Sequence, residues 1–404
     1  MLSQRVMNGS STDTTPDTHA GAQFDRRRLG LLSFAHALTD SYGSSFISPL
    51  FPVLAEKLSL SYTKVGSLPT MVGLTASLCQ PLIGLLSDRY PRVPLVAMGP
   101  AVSSLFLGLV GLAPNYPALL GVLVIAGFGA GAFHPQGARL ASEAARGRGF
   151  AMSSFTVGGS VGFGLAPLLG AFYFHRFGLE RWYVSAAPGL VLAGVLWVGF
   201  HRAFPRAARG ALQAQDQARD NWPALAFLTA TVAIRSLIPI GMTAFLPFYV
   251  EARGLPGVDI HTAKAIVVSA LLLASGFAGP CGGHLTDRLG RRRVMIGSFL
   301  IAPWPLLAAF YLSGYAMVAA LVLGGFTLML PHPSNVIMAQ EFLPSRASVA
   351  VSMITGFAWG LAVIMALGLG AIADHVGVAP MLRGLCLVPL LGSLFVLPIP
   401  ERGR

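Results

Sequence analysis

The amino-acid sequence predicts an all-α polytopic membrane protein with twelve transmembrane helices in two pseudo-twofold-related six-helix bundles. Hydrophobic residues make up 54% of the 404 positions and charged residues only 11%, a composition too apolar for a soluble globular protein. Apolar stretches of about 20 residues, long enough to cross roughly 30 Å of hydrocarbon as helices, recur along the chain. A short polar motif also appears twice, at matching positions in the two halves of the chain.

The apolar stretches are predicted to be the transmembrane helices, and a polar segment near the middle of the chain separates two sets of six. They fall approximately at 27–54, 64–87, 93–113, 117–141, 148–174, 181–202, 222–250, 262–286, 292–312, 314–340, 346–373 and 379–399. The predicted organisation is therefore a disordered cytoplasmic tail (1–24), an N-terminal bundle (25–202), a cytoplasmic linker (203–221), a C-terminal bundle (222–399) and a short cytoplasmic tail (400–404).

The net charge of +12 is distributed unevenly over this topology. With a cytoplasmic N-terminus, 20 of the 28 Lys and Arg residues lie on that side, seven lie on the other side, and Arg235 alone lies within a span. This asymmetry predicts that both termini are cytoplasmic. The basic charge is then explained by topology and by contact with anionic membrane lipid, and nucleic acid is not an expected partner.

The sequence predicts no metal site, cofactor or catalytic residue. Cys79, Cys281 and Cys386 are far apart in apolar spans and form no CxxC or Cys/His cluster, so neither disulfides nor a metal site are expected. Neither a phosphate-binding P-loop nor a nucleophile motif such as GxSxG or HExxH occurs. Coupling to an ion gradient is therefore favoured over ATP hydrolysis, and an intramembrane enzyme is the least favoured alternative.

The two halves contain a duplicated unit. "GLLSDRYPR" at 84–92 matches "GHLTDRLGRR" at 283–292 with an offset of 199, and two further matches, of His-Pro pairs and of single prolines, have an offset of 198. Duplicated six-helix units typically hold their substrate between the repeats near the membrane midplane. In the motif, glycine allows helix backbones to approach, aspartate can face a helix N-terminus, and arginines hold the loop at the membrane surface. We predict a gating loop motif formed by Gly84, Asp88, Arg89, Arg92, Gly283, Asp287, Arg288 and Arg291; a plain topogenic loop is the alternative.

The stretch "SFAHALTDSY" at 33–42 places two ionisable side chains inside the first predicted helix. An aspartate at a helix centre costs about 2.5 to 3.5 kcal/mol on insertion scales, so one without a task is disfavoured. His36 and Asp40 are four residues apart and therefore share one helix face. We predict that this pair exchanges a proton; a structural hydrogen-bonding role is the alternative for each.

Other polar residues within the spans are candidate substrate contacts. Arg235 can bind an anionic substrate through its planar fork of donors, or it can neutralise Asp40. His134 and His332 each precede a proline at repeat-related positions, where a hinge is expected. Gln136 and Asn335 extend this polar surface. The aromatic residues that are candidate walls of the site, with plain packing as the alternative, are Tyr42, Phe46, Phe245 and Trp359.

These motifs resemble those of the major facilitator superfamily of secondary transporters. Gly283, Asp287, Arg288, Gly290 and Arg291 look like its complete loop motif, whereas the first copy has Pro91 in place of a glycine. "GFGLAPLLGA" at 162–171 is similar to the fifth-helix antiporter motif, through Gly162, Pro167 and Gly170, although a packing face is an equal alternative. "HALTD", "FHPQGAR" (133–139) and "AQEFLP" (339–344) are similar to a bacterial branch of drug exporters associated with fosmidomycin resistance.

The resemblance implies a proton-coupled exporter of a small drug-like or anionic compound that works by alternating access. An importer of a small organic anion or sugar remains an alternative, since Arg235 suits it equally well. One departure is that "GVLVIAGFGAG" in the fourth helix has only apolar residues where antiporters of this superfamily carry an arginine. The expected partners are a small-molecule substrate, protons and membrane lipid, and a monomer in the bacterial inner membrane is expected.

Overall fold

The computed structural model describes residues 25–89, 94–145, 149–200 and 220–400. Among these residues the only strand-like feature is one isolated bridge between Leu255 and Val258. Nine helical stretches of the described chain are long and apolar enough to cross a membrane, and three further stretches, two of them interrupted, complete twelve. We number them helix 1 (Arg26–Ser41, Ser44–Leu50 and Phe51–Leu58), helix 2 (Tyr62–Arg89), helix 3 (Leu95–Gly108 and Leu109–Leu112), helix 4 (Tyr116–Ala145), helix 5 (Gly149–Phe177), helix 6 (Trp182–Ala186 and Ala187–Phe200), helix 7 (Trp222–Glu251), helix 8 (Ile260–Leu289), helix 9 (Arg291–Ile301 and Pro303–Ala308), helix 10 (Gly314–Met329 and His332–Phe342), helix 11 (Ala347–Ser352, Met353–Phe357 and Ala358–Val376) and helix 12 (Val378–Val396).

The two halves repeat the same structure, which confirms the predicted fold class. The backbone N–H of Asp25, just before helix 1, donates to the carbonyl of Ala144 near the end of helix 4, at 3.0 Å. At the equivalent place in the second half, the N–H of Asn221 before helix 7 donates to the carbonyl of Phe342 at the end of helix 10, at 2.7 Å. The side chains of Asp25 and Asn221 each cap the helix that follows, as these residue types favour.

Helix 1 is interrupted just after Asp40. Its first piece ends at Ser41, and a 3-10 segment containing Pro49, which has no backbone N–H, leads into the last piece. Backbone groups freed inside a membrane need internal partners. The Ser48 hydroxyl donates to the carbonyl of Ser45 at 2.9 Å, and the Ser45 hydroxyl donates to that of Phe163 in helix 5 at 3.2 Å. The interruption is therefore a stabilised feature of the fold.

The two halves meet at the membrane face opposite the chain termini, here called the sealed face. Helix 2 begins at this face, and its first half packs on the second half of helix 11. There the Thr70 hydroxyl donates to the carbonyl of Val363 at 3.1 Å. Helices 5 and 8 form a second seam, where the rings of Phe174 and His261 lie 4.6 Å apart.

Toward the other face, which carries the termini and is here called the termini face, helices 2 and 11 separate. A cavity of about 620 Å³ opens between them. It is lined from helix 11 partly by Met353–Phe357, a π-helical turn, and such turns occur frequently at functional sites. The structure is thus closed at one face and open at the other.

One lysine, Lys264, is buried near the start of helix 8. It lies in the second turn of helix 8, its side chain is fully buried, and it forms an ion pair with Glu251 at the end of helix 7. Glu251 is the last residue of helix 7, and its carboxylate contacts the ammonium group of Lys264 at the interface between helices 7 and 8. A buried lysine is tolerated in this position because it is paired.

Candidate functional site

Three side chains in the N-terminal half form a cluster that we call the N-half triad: His36 and Asp40 of helix 1 and His134 of helix 4. His36 Nε2 lies 3.2 Å from one carboxylate oxygen of Asp40, and His134 Nε2 lies 3.5 Å from the other. The side chains of His36, Asp40 and His134 are 12%, 21% and 31% exposed, respectively. The triad is therefore half-buried, and it remains reachable from solvent.

The His36 ring is held in one orientation by helix 5. Its Nδ1 lies 2.7 Å from the carbonyl oxygen of Phe155, and its ring stacks on that of Phe155 with 4.1 Å between the centroids. A carbonyl oxygen can only accept, so Nδ1 carries the donated proton. In the neutral imidazole, Nε2 then presents a lone pair to the Asp40 carboxylate, which is also an acceptor. Their contact is attractive only when a proton or another cation lies between them.

Gly159 of helix 5 leaves space beside this contact. A Cβ atom at position 159 would lie 2.6 Å from His36 Nε2 and 2.7 Å from an Asp40 carboxylate oxygen. Any larger residue would therefore press on the two atoms that face each other. In addition, Asp40 lies in the last turn of the first piece of helix 1, where the partial negative charge of the helix terminus favours a cation.

The C-terminal half contains a second polar cluster, which we call the C-half cluster: Arg235 of helix 7 with His332 and Asn335 of helix 10. Arg235 is only 2% exposed, and its Nη2 lies 3.2 Å from His332 Nδ1. Because arginine can only donate, Nδ1 accepts and His332 is neutral. In the amide orientation that satisfies its neighbours, Asn335 accepts from Arg235 Nη1 at 2.9 Å and donates to the Pro331 carbonyl at 3.0 Å.

The charge of Arg235 has no carboxylate partner within the described parts of the chain, and its Nε has no hydrogen-bond acceptor. Moreover, helix 10 is interrupted at Leu330 and Pro331, so a new helix begins at His332 beside the guanidinium. A helix N-terminus carries a partial positive charge and attracts anions. Both features favour an anionic ligand at this point.

The two clusters are related by the repeat and have opposite charge. His134 contacts the aspartate of helix 1, and its counterpart His332 contacts the arginine of helix 7. Of the two predicted roles for Arg235, neutralisation of Asp40 is not what this conformation contains, because each charged group is engaged within its own half. The expected hinges also differ: helix 10 is interrupted just before His332, whereas helix 4 continues through Pro135.

Four of the predicted substrate contacts are packed against neighbouring helices in this conformation, and their role at the substrate site stays a prediction. Gln136 is fully buried and accepts from the Val96 N–H at 2.7 Å. The buried Tyr42 hydroxyl donates to the Ser185 carbonyl at 2.6 Å. Phe46 and Phe245 are fully buried within the main hydrophobic core. Each side chain is satisfied or enclosed by neighbouring helices, so none faces a cavity.

Trp359 alone among the predicted aromatic walls is partly exposed. It lies on helix 11 and its ring meets that of Phe163 of helix 5 edge-on, with 6.5 Å between the centroids. The contact joins the two halves, and helix 5 carries Phe163 close to the interruption in helix 1. A role for Trp359 at the substrate site stays a prediction.

The glycines of the predicted antiporter motif bring helices 1 and 5 together. A Cβ at Gly162 would overlap the carbonyl of Ala37, and one at Gly170 would overlap that of Phe46. Pro167 lies between them inside helix 5. These contacts are those of a small-residue packing face, and the motif's link to the direction of transport stays a prediction.

The gating loop motif is described only in its second copy. In the first copy, the surroundings of Gly84, the side chains of Asp88 and Arg89, and the whole of Arg92 lie outside the described residues. In the second copy, Arg291 forms an ion pair with Glu341 of helix 10 at 2.7 Å, and Asp287 and Arg288 are exposed. The close helix approach predicted at Gly283 occurs instead at Gly282, against the Leu330 carbonyl, whereas a Cβ at Gly283 would meet open space.

Sequence reasoning missed three contributors to these sites. Gly159 and the Phe155 carbonyl complete the N-half triad, and Glu341 pairs with the loop motif. Glu341 lies within "AQEFLP", the stretch already singled out, and an acidic residue there was an available signal. A backbone carbonyl has no sequence signature.

Twelve membrane-crossing helices in two repeated bundles, with one polar cluster inside each bundle, define a polytopic membrane transporter. Residues 32–362 match the family model of the Major Facilitator Superfamily. The chain belongs to that family and is a membrane protein.

Two curated relatives extend over nearly the whole chain. It is 30% identical over 376 residues to the fosmidomycin resistance protein of Escherichia coli (strain K12), covering 91% of each chain. It is 29% identical over 394 residues to the uncharacterized MFS-type transporter YfnC of Bacillus subtilis (strain 168), covering 93% of this chain and 94% of that one. Several multidrug resistance efflux pumps are also similar, at lower identity.

Two solved structures share the fold. A bacterial homologue of the human lysosomal transporter Spinster, in an inward-facing and occupied conformation, has a TM-score of 0.74 at 16% identity, covering 94% of this chain and 97% of that chain. A mutant of the nucleoside transporter NupG has a TM-score of 0.73 at 15% identity, covering 92% and 99%. At these identities the likeness concerns the fold alone.

Proposed function

We propose that this protein is a proton-coupled secondary transporter that exports a small anionic or drug-like compound, with fosmidomycin as the first compound to test. The observation that carries the proposal is the pair of oppositely charged clusters, one in each half. The N-half triad suits a proton, because His36 Nε2 and Asp40 attract each other only with a cation between them. The C-half cluster suits an anion, because Arg235 lacks a carboxylate partner among the described residues.

Alternating access follows from the way the halves meet. The contacts of helix 2 with helix 11 and of helix 5 with helix 8 close the sealed face, and rocking of the two bundles would close the termini face instead. With both termini cytoplasmic, as the distribution of Lys and Arg favours, the cavity opens to the cytoplasm of a bacterial inner membrane. A substrate would then be loaded at Arg235 from the cytoplasm and released outside.

Export is favoured over import by the similar proteins. The fosmidomycin resistance protein and the efflux pumps are named for resistance or efflux, and the alignment with the first of these relatives covers nine-tenths of both chains. A transporter can use a His/Asp pair for proton exchange without a catalytic nucleophile, so we do not assign an enzymatic activity.

The proposal is tested by measuring fosmidomycin accumulation in a sensitive, pump-deficient bacterium that expresses the wild type, Asp40→Asn or no transporter, with and without a protonophore. We expect the wild type to lower accumulation, and both the substitution and the protonophore to abolish the difference. Glu180→Gln, which removes an exposed carboxylate between helices 5 and 6, is the matched control for loss of one negative charge. Equal membrane levels of all variants are verified by immunoblot.

Three results would contradict the proposal. Wild-type accumulation equal to that of the empty strain removes fosmidomycin export, and accumulation above it reverses the direction to import. Efflux that persists in Asp40→Asn and in the presence of the protonophore removes proton coupling through the N-half triad.

A further inference from the structure

The N-half triad has the ligand geometry of a divalent metal site. One atom each from His36, Asp40 and His134 can be chosen so that all three lie within 4.8 Å of one another, and the two His–Asp contacts measure 3.2 and 3.5 Å. A tetrahedral zinc ion with ligand bonds of about 2.0–2.1 Å requires its ligands to be roughly 3.3 Å apart. The two His–Asp contacts, each to a different Asp40 oxygen, are close to this spacing. Because one atom of each residue lies within 4.8 Å of the others, an adjustment of the side chains would place all three around a common ion.

The support around His36 is also that of a metal ligand. Metal-bound histidines almost always donate their second ring N–H to a carbonyl or carboxylate, which fixes the tautomer and orients the ring. The Phe155 carbonyl provides this acceptor at 2.7 Å, and the Phe155 ring stacks on the imidazole. The lone pair of Nε2 is thereby directed at Asp40 before any ion arrives.

The surroundings leave room for the ion and for one further ligand. Gly159 places no side chain next to His36 Nε2 and Asp40, where a Cβ would lie within 2.7 Å of both. Three protein ligands with an open fourth position are typical of zinc sites that exchange ligands. Two imidazoles and one carboxylate suit Zn²⁺ and the neighbouring ions Co²⁺ and Ni²⁺ rather than Mg²⁺ or Ca²⁺.

We propose that His36, Asp40 and His134 bind a divalent transition-metal ion of the Zn²⁺ class. The ion occupies the position between the imidazole and carboxylate groups that the proposed function gives to the proton. Because the same lone pairs hold one or the other, Zn²⁺ blocks proton exchange. This last consequence rests on the proposed function, whereas binding itself does not.

The repeat supplies a matched control within the same chain. His332 occupies the position equivalent to His134, but its Nδ1 is 3.2 Å from the Arg235 guanidinium and no carboxylate of the described chain pairs with that arginine. A cation there would be repelled by Arg235. Removal of His332 is therefore expected to leave metal affinity unchanged, although it removes the same kind of side chain from the same kind of position.

The test is Co²⁺ titration of the purified full-length protein, carrying an affinity tag without histidine and a Cys281→Ser background that removes an exposed thiol ligand. We expect one Co²⁺ per chain with the visible absorption of four-coordinate Co²⁺, displaced by Zn²⁺. His134→Ala and His36→Ala should each weaken binding by more than about tenfold, and His332→Ala should bind as the wild type does. Gly159→Ala, which keeps all three ligands, should also weaken binding because it fills the space beside them.

Absence of stoichiometric Co²⁺ binding by the wild type would overturn the proposal, as would binding that survives both His134→Ala and His36→Ala. Equal loss in His332→Ala would show that the ion is held elsewhere. Gel filtration and thermal unfolding identify variants that fail to fold. If the histidine variants fail to fold, the Co²⁺ affinity of Gly159→Ala decides the outcome, and an affinity equal to that of the wild type would contradict the proposal. Because metal binding is scored without transport, failure of fosmidomycin export and failure of metal binding are separate results.

Discussion

The carboxylate of Asp374 near the end of helix 11 accepts a hydrogen bond from the backbone N–H of Thr63, the second residue of helix 2, at 2.9 Å. The same carboxylate accepts from the N–H of Tyr62 at 2.7 Å and from the Thr63 hydroxyl. A residue of the C-terminal half thus caps a helix of the N-terminal half. The first N–H groups of a helix have no partner within it, so this cap links the two halves at the sealed face.

Asp374→Ala is expected to destabilise the closed sealed face. Loss of a helix-capping side chain costs about 0.5–2 kcal/mol, so the substitution should shift the equilibrium toward opening of this face by a factor of about 2–30. The measurement is the distance distribution between spin labels placed at the sealed ends of helices 2 and 11. A distribution identical to that of the wild type would contradict a role for Asp374 in closing this face.

The control for this experiment is Asp259, which caps helix 8 from within its own half through the N–H groups of His261 and Thr262. Hydrogen bonding to Thr262 holds the pKa of Asp259 below its usual value. Its contribution to stability is therefore present above the ordinary pKa of an aspartate and is lost only as pH falls through the lowered value. Asp259→Ala should lower stability by about 1 kcal/mol without moving the spin labels apart.

Local features of these sites could be predicted from the sequence, whereas their completion could not. The four-residue spacing of His36 and Asp40 fixes their common helix face, because helix geometry is local. The contact of His134 with Asp40 depends on how helices 1 and 4 pack, and no pattern in the sequence encodes it. Gln136 is a second example: its hydrogen bond with the Val96 backbone depends on how helices 3 and 4 pack, and no pattern in the sequence encodes it.

The fold itself was more predictable, because hydrophobic length and the internal repeat specify it. The predicted hinges were less so. Pro135 is accommodated within a continuous helix 4, whereas helix 10 breaks at Pro331, one residue before the matched His-Pro pair. Whether a proline interrupts a helix depends on partners for the freed backbone groups, and those partners are set by the packing of the surrounding helices rather than by the local sequence.

Gly159→Ala is expected to remove proton-coupled export while leaving the fold intact. The added methyl group would lie within 2.7 Å of His36 Nε2 and Asp40, so the two groups must separate and can no longer share a proton. Gly121→Ala in helix 4, where a Cβ meets no atom within 4 Å, is the matched control. The readout is proton movement out of everted vesicles with an acidic interior on substrate addition, and an unchanged signal in Gly159→Ala would exclude proton transfer at this point.

Glu251→Gln is expected to be more destabilising than Lys264→Met, although the two residues form one ion pair. Lys264 is fully buried and the Glu251 side chain is 43% exposed. Loss of Glu251 leaves an uncompensated buried cation, which costs about 3–5 kcal/mol, whereas loss of Lys264 leaves a carboxylate that reaches water. Unfolding of both variants in detergent, followed by denaturant titration, measures the difference. Equal destabilisation would mean that the carboxylate is as dependent on the pair as the ammonium group.

Arg235→Gln is expected to raise the stability of the substrate-free protein and to remove substrate binding. The guanidinium is buried and has no carboxylate partner within the described chain, so its desolvation is only partly offset by His332 and Asn335. Glutamine retains a donor for His332 without the charge. Thermal unfolding of purified Arg235→Gln should therefore show a melting temperature a few degrees above that of the wild type. An anionic substrate stabilises the wild type by binding its native state, and this stabilisation should be absent in Arg235→Gln.

Arg235→Lys is the control, because it keeps the charge without the fork of donors. It should keep the lower stability of the wild type and show only weakened stabilisation by substrate. A lower melting temperature for Arg235→Gln with substrate protection intact would instead assign Arg235 to the structural core. The direction of the change thus separates a residue retained for its ligand from one retained for the fold, because only the former is kept at a cost to stability.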